Sequence, residues 1–140
     1  MRFIIALTLS LPLLAGTFAE YPGSDLDKKL TEKAQAMSDK AGKKASTKAF
    51  YTSDSFEKVA AFYLKRSKEF KMKRPAQKLE DGTAVKQAFF IFDGAASINT
   101  SKDWVSVQNP LIGDVQFKDG KAHFVDVRKN TTSIQRVWGK

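Results

Sequence analysis

Apolar positions recur along the chain with two periods, and the change from one to the other divides it. Before either begins, Phe3 to Leu14 is an apolar run broken only by Thr8, Ser10 and Pro12. It follows a positive start, Met1-Arg2, and leads to a small-residue exit, Thr17-Phe18-Ala19. This is the anatomy of a secretory leader, so residues 1–19 are expected to be removed and the exported product to begin near Glu20. The run falls short of the roughly 20 apolar residues that a spanning helix needs, and no second such run follows. A soluble product without a membrane anchor is therefore expected, as a single domain over 20–140.

After the leader the period is helical. Ser24-Asp25-Leu26-Asp27 has the form of an N-cap with an acidic residue behind it. Leu26, Leu30, Ala34, Met37 and Ala41 then form a narrow apolar stripe that stops at Gly42, which predicts a helix docked at an edge. Asp54-Ser55-Phe56-Glu57 has capping spacing and opens a second helix. Phe56, Val59, Ala60, Tyr63, Ser67 and Phe70 lie on one face of it, predicting a core-facing helix that runs to about Phe70 and gives way before Pro75.

Strand periods take over in the second half, joined by a short candidate at Thr47 to Thr52 between the helices. Phe89, Phe90, Ile91 and Phe92 are consecutive within the Ala84 to Phe92 segment, so both faces of that strand are expected to be buried. Trp104 to Val107 and Thr132 to Trp138 are further strands. Val115 to Lys118 and Lys121 to Val127 flank Asp119-Gly120, a two-residue hairpin signal that pairs Val115 with Phe124 and Phe117 with Ala122. The predicted fold class is α+β: two N-terminal helices packed on a mostly antiparallel sheet of four to six strands.

Composition narrows the chemistry. The 140 residues contain no cysteine and one histidine, His123. Disulfide frameworks, thiolate metal sites, thiol nucleophiles and His-pair metal sites are thereby excluded. His123 lies in a predicted strand opposite Gln116 with no nucleophile-elbow pattern near it, and it reads as an ordinary strand residue. Glu80-Asp81 is a solvated turn, the acidic residues lack the spacing of a calcium loop, and the glycines are scattered at turns. No cofactor, metal or catalytic activity is expected.

Tyr21-Pro22-Gly23 behind a leader, followed by Tyr51-Thr52-Ser53-Asp54-Ser55 and a helix carrying Val59 and Phe62-Tyr63, resembles a pattern in small exported bacterial proteins and lipoproteins of uncharacterised function. The resemblance covers residues 21 to 64. It implies an envelope protein with a helix-on-sheet domain and implies no activity. The lipidated members carry a cysteine that this chain lacks.

Charge is the one feature with functional pull. The formal net charge is +9, and Lys65, Arg66, Lys68, Lys71, Lys73, Arg74 and Lys78 set seven cations against the single acid Glu69 within fourteen residues. Cations at a helix C-terminus offset its dipole, and a charge run is commonly a solvated face; seven exceed what the dipole requires. The expected function is that of an exported, non-catalytic binding or structural module of the envelope. A polyanion such as lipopolysaccharide, anionic lipid or nucleic acid, bound through residues 65–78, is one alternative. A protein partner docked on the sheet edge or on Trp104 and Trp138, and a small ligand carried between helix and sheet, are the others.

Overall fold

The computed structural model describes residues 18–139, so the expected leader, apart from Phe18 and Ala19, lies outside the described residues. Strands account for 44% of the structure and helices for 18%. The α+β expectation of helices over four to six strands is therefore corrected: the fold is dominated by a seven-stranded antiparallel sheet with a separate two-stranded ribbon.

In chain order the elements are β1 (Asp25–Leu26), α1 (Lys28–Lys40), β2 (Ala45–Thr52), α2 (Phe56–Leu64), β3 (Lys68–Phe70), β4 (Gln77–Lys78), β5 (Ala84–Ile91), β6 (Asp103–Asn109), β7 (Leu111–Lys118), β8 (Lys121–Arg128) and β9 (Thr132–Gly139). The sheet runs β1-β2-β9-β6-β5-β3, with β4 paired to β5 beyond the end of β3. The last strand thus returns to the centre, between β2 and β6.

The first helix differs from its expected form. Its cap is Asp27 rather than Ser24, because Asp25 and Leu26 pair with Tyr51 and Phe50 as a strand; the Asp27 carboxylate accepts the Leu30 N–H at 2.9 Å. No residue of α1 is buried, and Met37 of the expected apolar stripe is 68% exposed. What docks the helix is its polar side. Thr31 Oγ1 accepts the Ala49 N–H, while Gln35 accepts the Thr47 N–H and donates to the Ala45 carbonyl, each at 2.9 Å. β1 covers only two residues of this edge, and α1 satisfies the backbone groups left open beside it.

The core lies between α2 and one face of the sheet. Val59 and Tyr63 of α2 are fully buried against Phe50, Phe90, Val105, Val107 and Ile134, with Phe92 beside them. Phe56 and Ala60 pack at the margin of this cluster. The cap of α2 is Ser55, one residue after the Asp54 that the capping spacing with Glu57 suggests: Ser55 Oγ accepts the Lys58 N–H, while Asp54 turns to the Tyr21 hydroxyl. The helix ends at Leu64, six residues short of expectation: the Arg66 N–H closes on the Tyr63 carbonyl at 3.0 Å, Ser67 Oγ donates to the same carbonyl at 2.6 Å, and the chain leaves as β3.

Both faces of β5 are buried from Ala88 onward, where its apolar run lies, while Ala84 to Gln87 stay largely exposed. Ala88, Phe90 and Phe92 face α2, whereas Phe89 and Ile91 lie on the opposite side with Trp104 6.2 Å from Phe89. The hairpin forms in the predicted register, Val115 with Phe124 and Phe117 with Ala122. It stands apart from the main sheet, however, so its apolar pairs stay open, and Phe117 is 78% exposed. Polar ties hold the ribbon in place: Lys33 Nζ to Asp114 at 2.6 Å, His123 Nδ1 to Glu80 at 2.8 Å, and Lys129 to Asp81.

Candidate functional site

The edge of β5 is shared by two very short strands, and this arrangement shapes the basic region. Lys68 to Phe70 pair with Phe89 to Ile91, and Gln77 and Lys78 pair with Val85 and Ala84 farther along the same edge. The six residues between them bow outward. They leave an open groove of about 340 Å³ with Phe70, Val85 and Phe89 among its apolar lining and Lys71 and Arg74 on its rim. Arg74 reaches back over the floor: its guanidinium lies 5.7 Å from the centre of the Phe89 ring, and Nη1 donates to Gln87 Oε1 at 3.3 Å. Glu69, the one acid of the segment, also lines the groove.

The seven cations singled out by the sequence divide in two. Lys71 and Arg74 share the groove, with Lys68, Lys73 and Lys78 exposed on the strands and loop around it. Lys65 and Arg66 instead stand at the C-terminal end of α2, beside a second and more open hollow of about 530 Å³ that includes Tyr21, Asp54 and Phe62. Polar groups there are already engaged with one another. Arg66 covers the Phe62 ring at 3.7 Å and donates to its carbonyl, Tyr21 donates its hydroxyl to Asp54 at 2.6 Å, and Lys58 pairs with Asp54 at 3.5 Å. Burial, reinforced by the Asp54 hydrogen bond, pushes the Tyr21 phenol up to about 12. The same bond holds the Asp54 carboxyl below its ordinary value.

Ion pairing separates the basic segment from the other cations. Among the described residues, ion pairs engage Lys33, Lys58, Lys86, His123, Arg128, Lys129 and Arg136, and none engages any of the seven cations between 65 and 78. None of the seven therefore has a carboxylate at ion-pair distance, and Lys71 and Arg74 carry that free charge beside an aromatic floor. The sequence marks the cations but not the floor, because Phe70 reads as the last turn of a helix. Lys68-Glu69-Phe70 is too short to carry a strand period that could weigh against the helical spacing.

The described residues hold no cluster of three or more His, Cys, Asp or Glu side chains placed to bind a metal ion. Among them, no helix is long and apolar enough to cross a membrane. His123 bonds to Glu80, opposite Gln116 in the ribbon, with no nucleophile against it. Comparison of the chain with family models, curated proteins and solved structures finds no match.

Proposed function

We propose that this chain is a non-catalytic binding module of the cell envelope and that it holds the anionic groups of a lipid surface at the β5 edge. The observation that carries the reading is the groove between β3 and β4, which Lys71 and Arg74, both free of ion pairs, line together with Phe70 and Phe89. Cations without carboxylate partners give up no ion pair on meeting phosphate, Arg74 exchanging at most its long hydrogen bond to the neutral Gln87, and an apolar floor beside them accepts the adjoining acyl or glycerol portion of a headgroup. Lys68, Lys73 and Lys78 extend the positive field along the same edge. The leader-like start, read as an export signal, favours an envelope surface over nucleic acid, and the aromatic rings of the groove lie in its floor rather than standing out as stacking platforms.

Binding to vesicles containing anionic phospholipid tests the reading, with zwitterionic vesicles as the control. Each Lys or Arg near an anionic surface is worth about 1 kcal/mol. The triple charge reversal Lys71→Glu, Lys73→Glu, Arg74→Glu is therefore expected to weaken binding by about a hundredfold or more. Wild-type affinity should fall steeply as the Debye length contracts with added salt. Vesicle binding that survives the triple reversal, or that is indifferent to salt, overturns the proposal.

A further inference from the structure

Of the two residues that immediately precede the expected cut, Phe18 packs half-buried against the core and Ala19 is hydrogen-bonded to it. The Phe18 ring stacks on Tyr63 with centroids 6.1 Å apart and planes 12° from parallel, meets Phe92 edge-on at 6.0 Å, and lies 6.4 Å from Phe50. The Arg136 guanidinium lies over it at 4.2 Å and over Trp138 at 4.4 Å. Ala19 supplies the carbonyl that accepts the Tyr63 hydroxyl at 3.1 Å. A cut after Ala19 removes both the ring and the acceptor.

We propose that Phe18 and Ala19 occupy an aromatic seat in the unprocessed chain, and that removal of the leader opens this seat to an aromatic carboxylate. The inference rests on the leader reading and is independent of the basic groove. The shape of the vacated seat selects a flat ring, since Phe50, Tyr63 and Phe92 present one face and two oblique or edge contacts to whatever replaces Phe18.

Its polar groups select the charge. Arg136 Nε is buried with no hydrogen-bond acceptor, its nearest carboxylate being Asp103 Oδ1 at 3.6 Å, and the guanidinium loses one of its two ring partners when Phe18 leaves. The Tyr63 hydroxyl loses its acceptor at the same moment. Cleavage also creates an α-ammonium group on Glu20, adjacent in sequence to the Tyr21 that packs into the same core. Arg136, which lies over the ring position and shares its charge with Asp103 on one side only, and the Tyr63 hydroxyl donor fit an anionic oxygen carried on an aromatic ring better than a neutral or cationic group, and the new ammonium two residues before Pro22 adds to the positive charge of this end of the chain. The leader residues thus keep the seat filled until export is complete.

Phenylacetate is the probe, with phenylacetamide as its neutral counterpart, read by calorimetry and by the fluorescence of Trp138 beside Arg136. The exported product is expected to begin at Glu20 by mass and to bind phenylacetate at least tenfold more tightly than phenylacetamide. The uncleaved 140-residue chain should not bind, whereas the same chain carrying Phe18→Ala should. Arg136→Gln in the exported product should erase the preference for the acid. An exported product that keeps Phe18, or one of 140 residues, overturns the proposal together with the cut after Ala19. A product beginning at Glu20 that ignores phenylacetate, or prefers it equally after Arg136→Gln, overturns the seat and leaves the leader reading intact.

Discussion

Two phenylalanines of this chain occupy opposite extremes of burial, and truncating each to alanine tests the division between the sheet core and the ribbon. Phe90 is 1% exposed, lies near the C-terminal end of β5 between Glu69 of β3 and Val105 of β6, and has its ring 6.0 Å from Tyr63. Phe117 is 78% exposed. A buried aromatic removes roughly 170 Å² from water, which at about 25 cal/mol per Å² is about 4 kcal/mol, or about 3 kcal/mol against a compact unfolded chain. The cavity left among β-strands that cannot collapse brings the expected cost of Phe90→Ala to about 3–5 kcal/mol. For a domain of about 120 residues the unfolding entropy is about 0.25 kcal/mol/K, so Tm should fall by about 15 °C. Phe117→Ala should stay within about 0.5 kcal/mol. Thermal melts followed by circular dichroism, with urea midpoints as a second measure, read both. Equal shifts for the two variants, or a shift below about 5 °C for Phe90→Ala, would refute the placement of the core.

Asp27→Ala should fray the first turn of α1 at a cost of about 1 kcal/mol, because the Asp27 carboxylate is its N-cap and the helix buries no residue, its docking bonds from Thr31 and Gln35 lying beyond that turn; unchanged amide-exchange protection at Leu30 would contradict this. Stability should also decline in alkali. Burial and the Asp54 hydrogen bond raise the Tyr21 phenol to about 12, and burial raises that of Tyr63 as well. A phenol held neutral in the fold contributes its full stability below the unfolded value of about 10 and loses it as pH climbs through the folded one. The urea midpoint should therefore drop between pH 10 and 12 and go on dropping above it, and Tyr21→Phe should flatten the first part; a midpoint that does not move across this range would count against the two buried phenols.

Strands were legible wherever their period rested on burial. The run at Phe89 to Phe92 announces a strand covered on both sides, and Asp119-Gly120 sets the hairpin register, because each pattern is local and the structure uses it as written. The first helix misleads for the opposite reason. Its apolar stripe predicts a docking face, yet it docks through Thr31 and Gln35, which complete hydrogen bonds on the exposed edge of β2. A hydrophobic period cannot report a contact made by polar groups. At α2, Tyr63, Ser67 and Phe70 keep helical spacing although only Tyr63 is helical, since Phe70 is drawn out of line by Phe89, nineteen residues away in sequence. Strands of two or three residues such as β1, β3 and β4 carry no period at all, and their existence depends on the edges they meet.

The same distinction bears on the basic segment. Its cations are visible in the sequence, while the groove they border exists only because β3 and β4 pair with different stretches of one edge of β5. A row of charges on an edge also has a protective use, since it discourages a second sheet from pairing there. That use is met by residues on the short strands themselves, Lys68 and Lys78, which pair with Ile91 and Ala84 at the two ends of β5. It does not call for Lys71 or for Arg74, which turns inward over the Phe89 ring instead of outward along the edge. Reversing Lys71, Lys73 and Arg74 while leaving Lys68 and Lys78 in place therefore separates the two roles. A variant that stays monomeric and loses its hold on anionic vesicles assigns the inner cations to ligand and the outer ones to guarding the sheet.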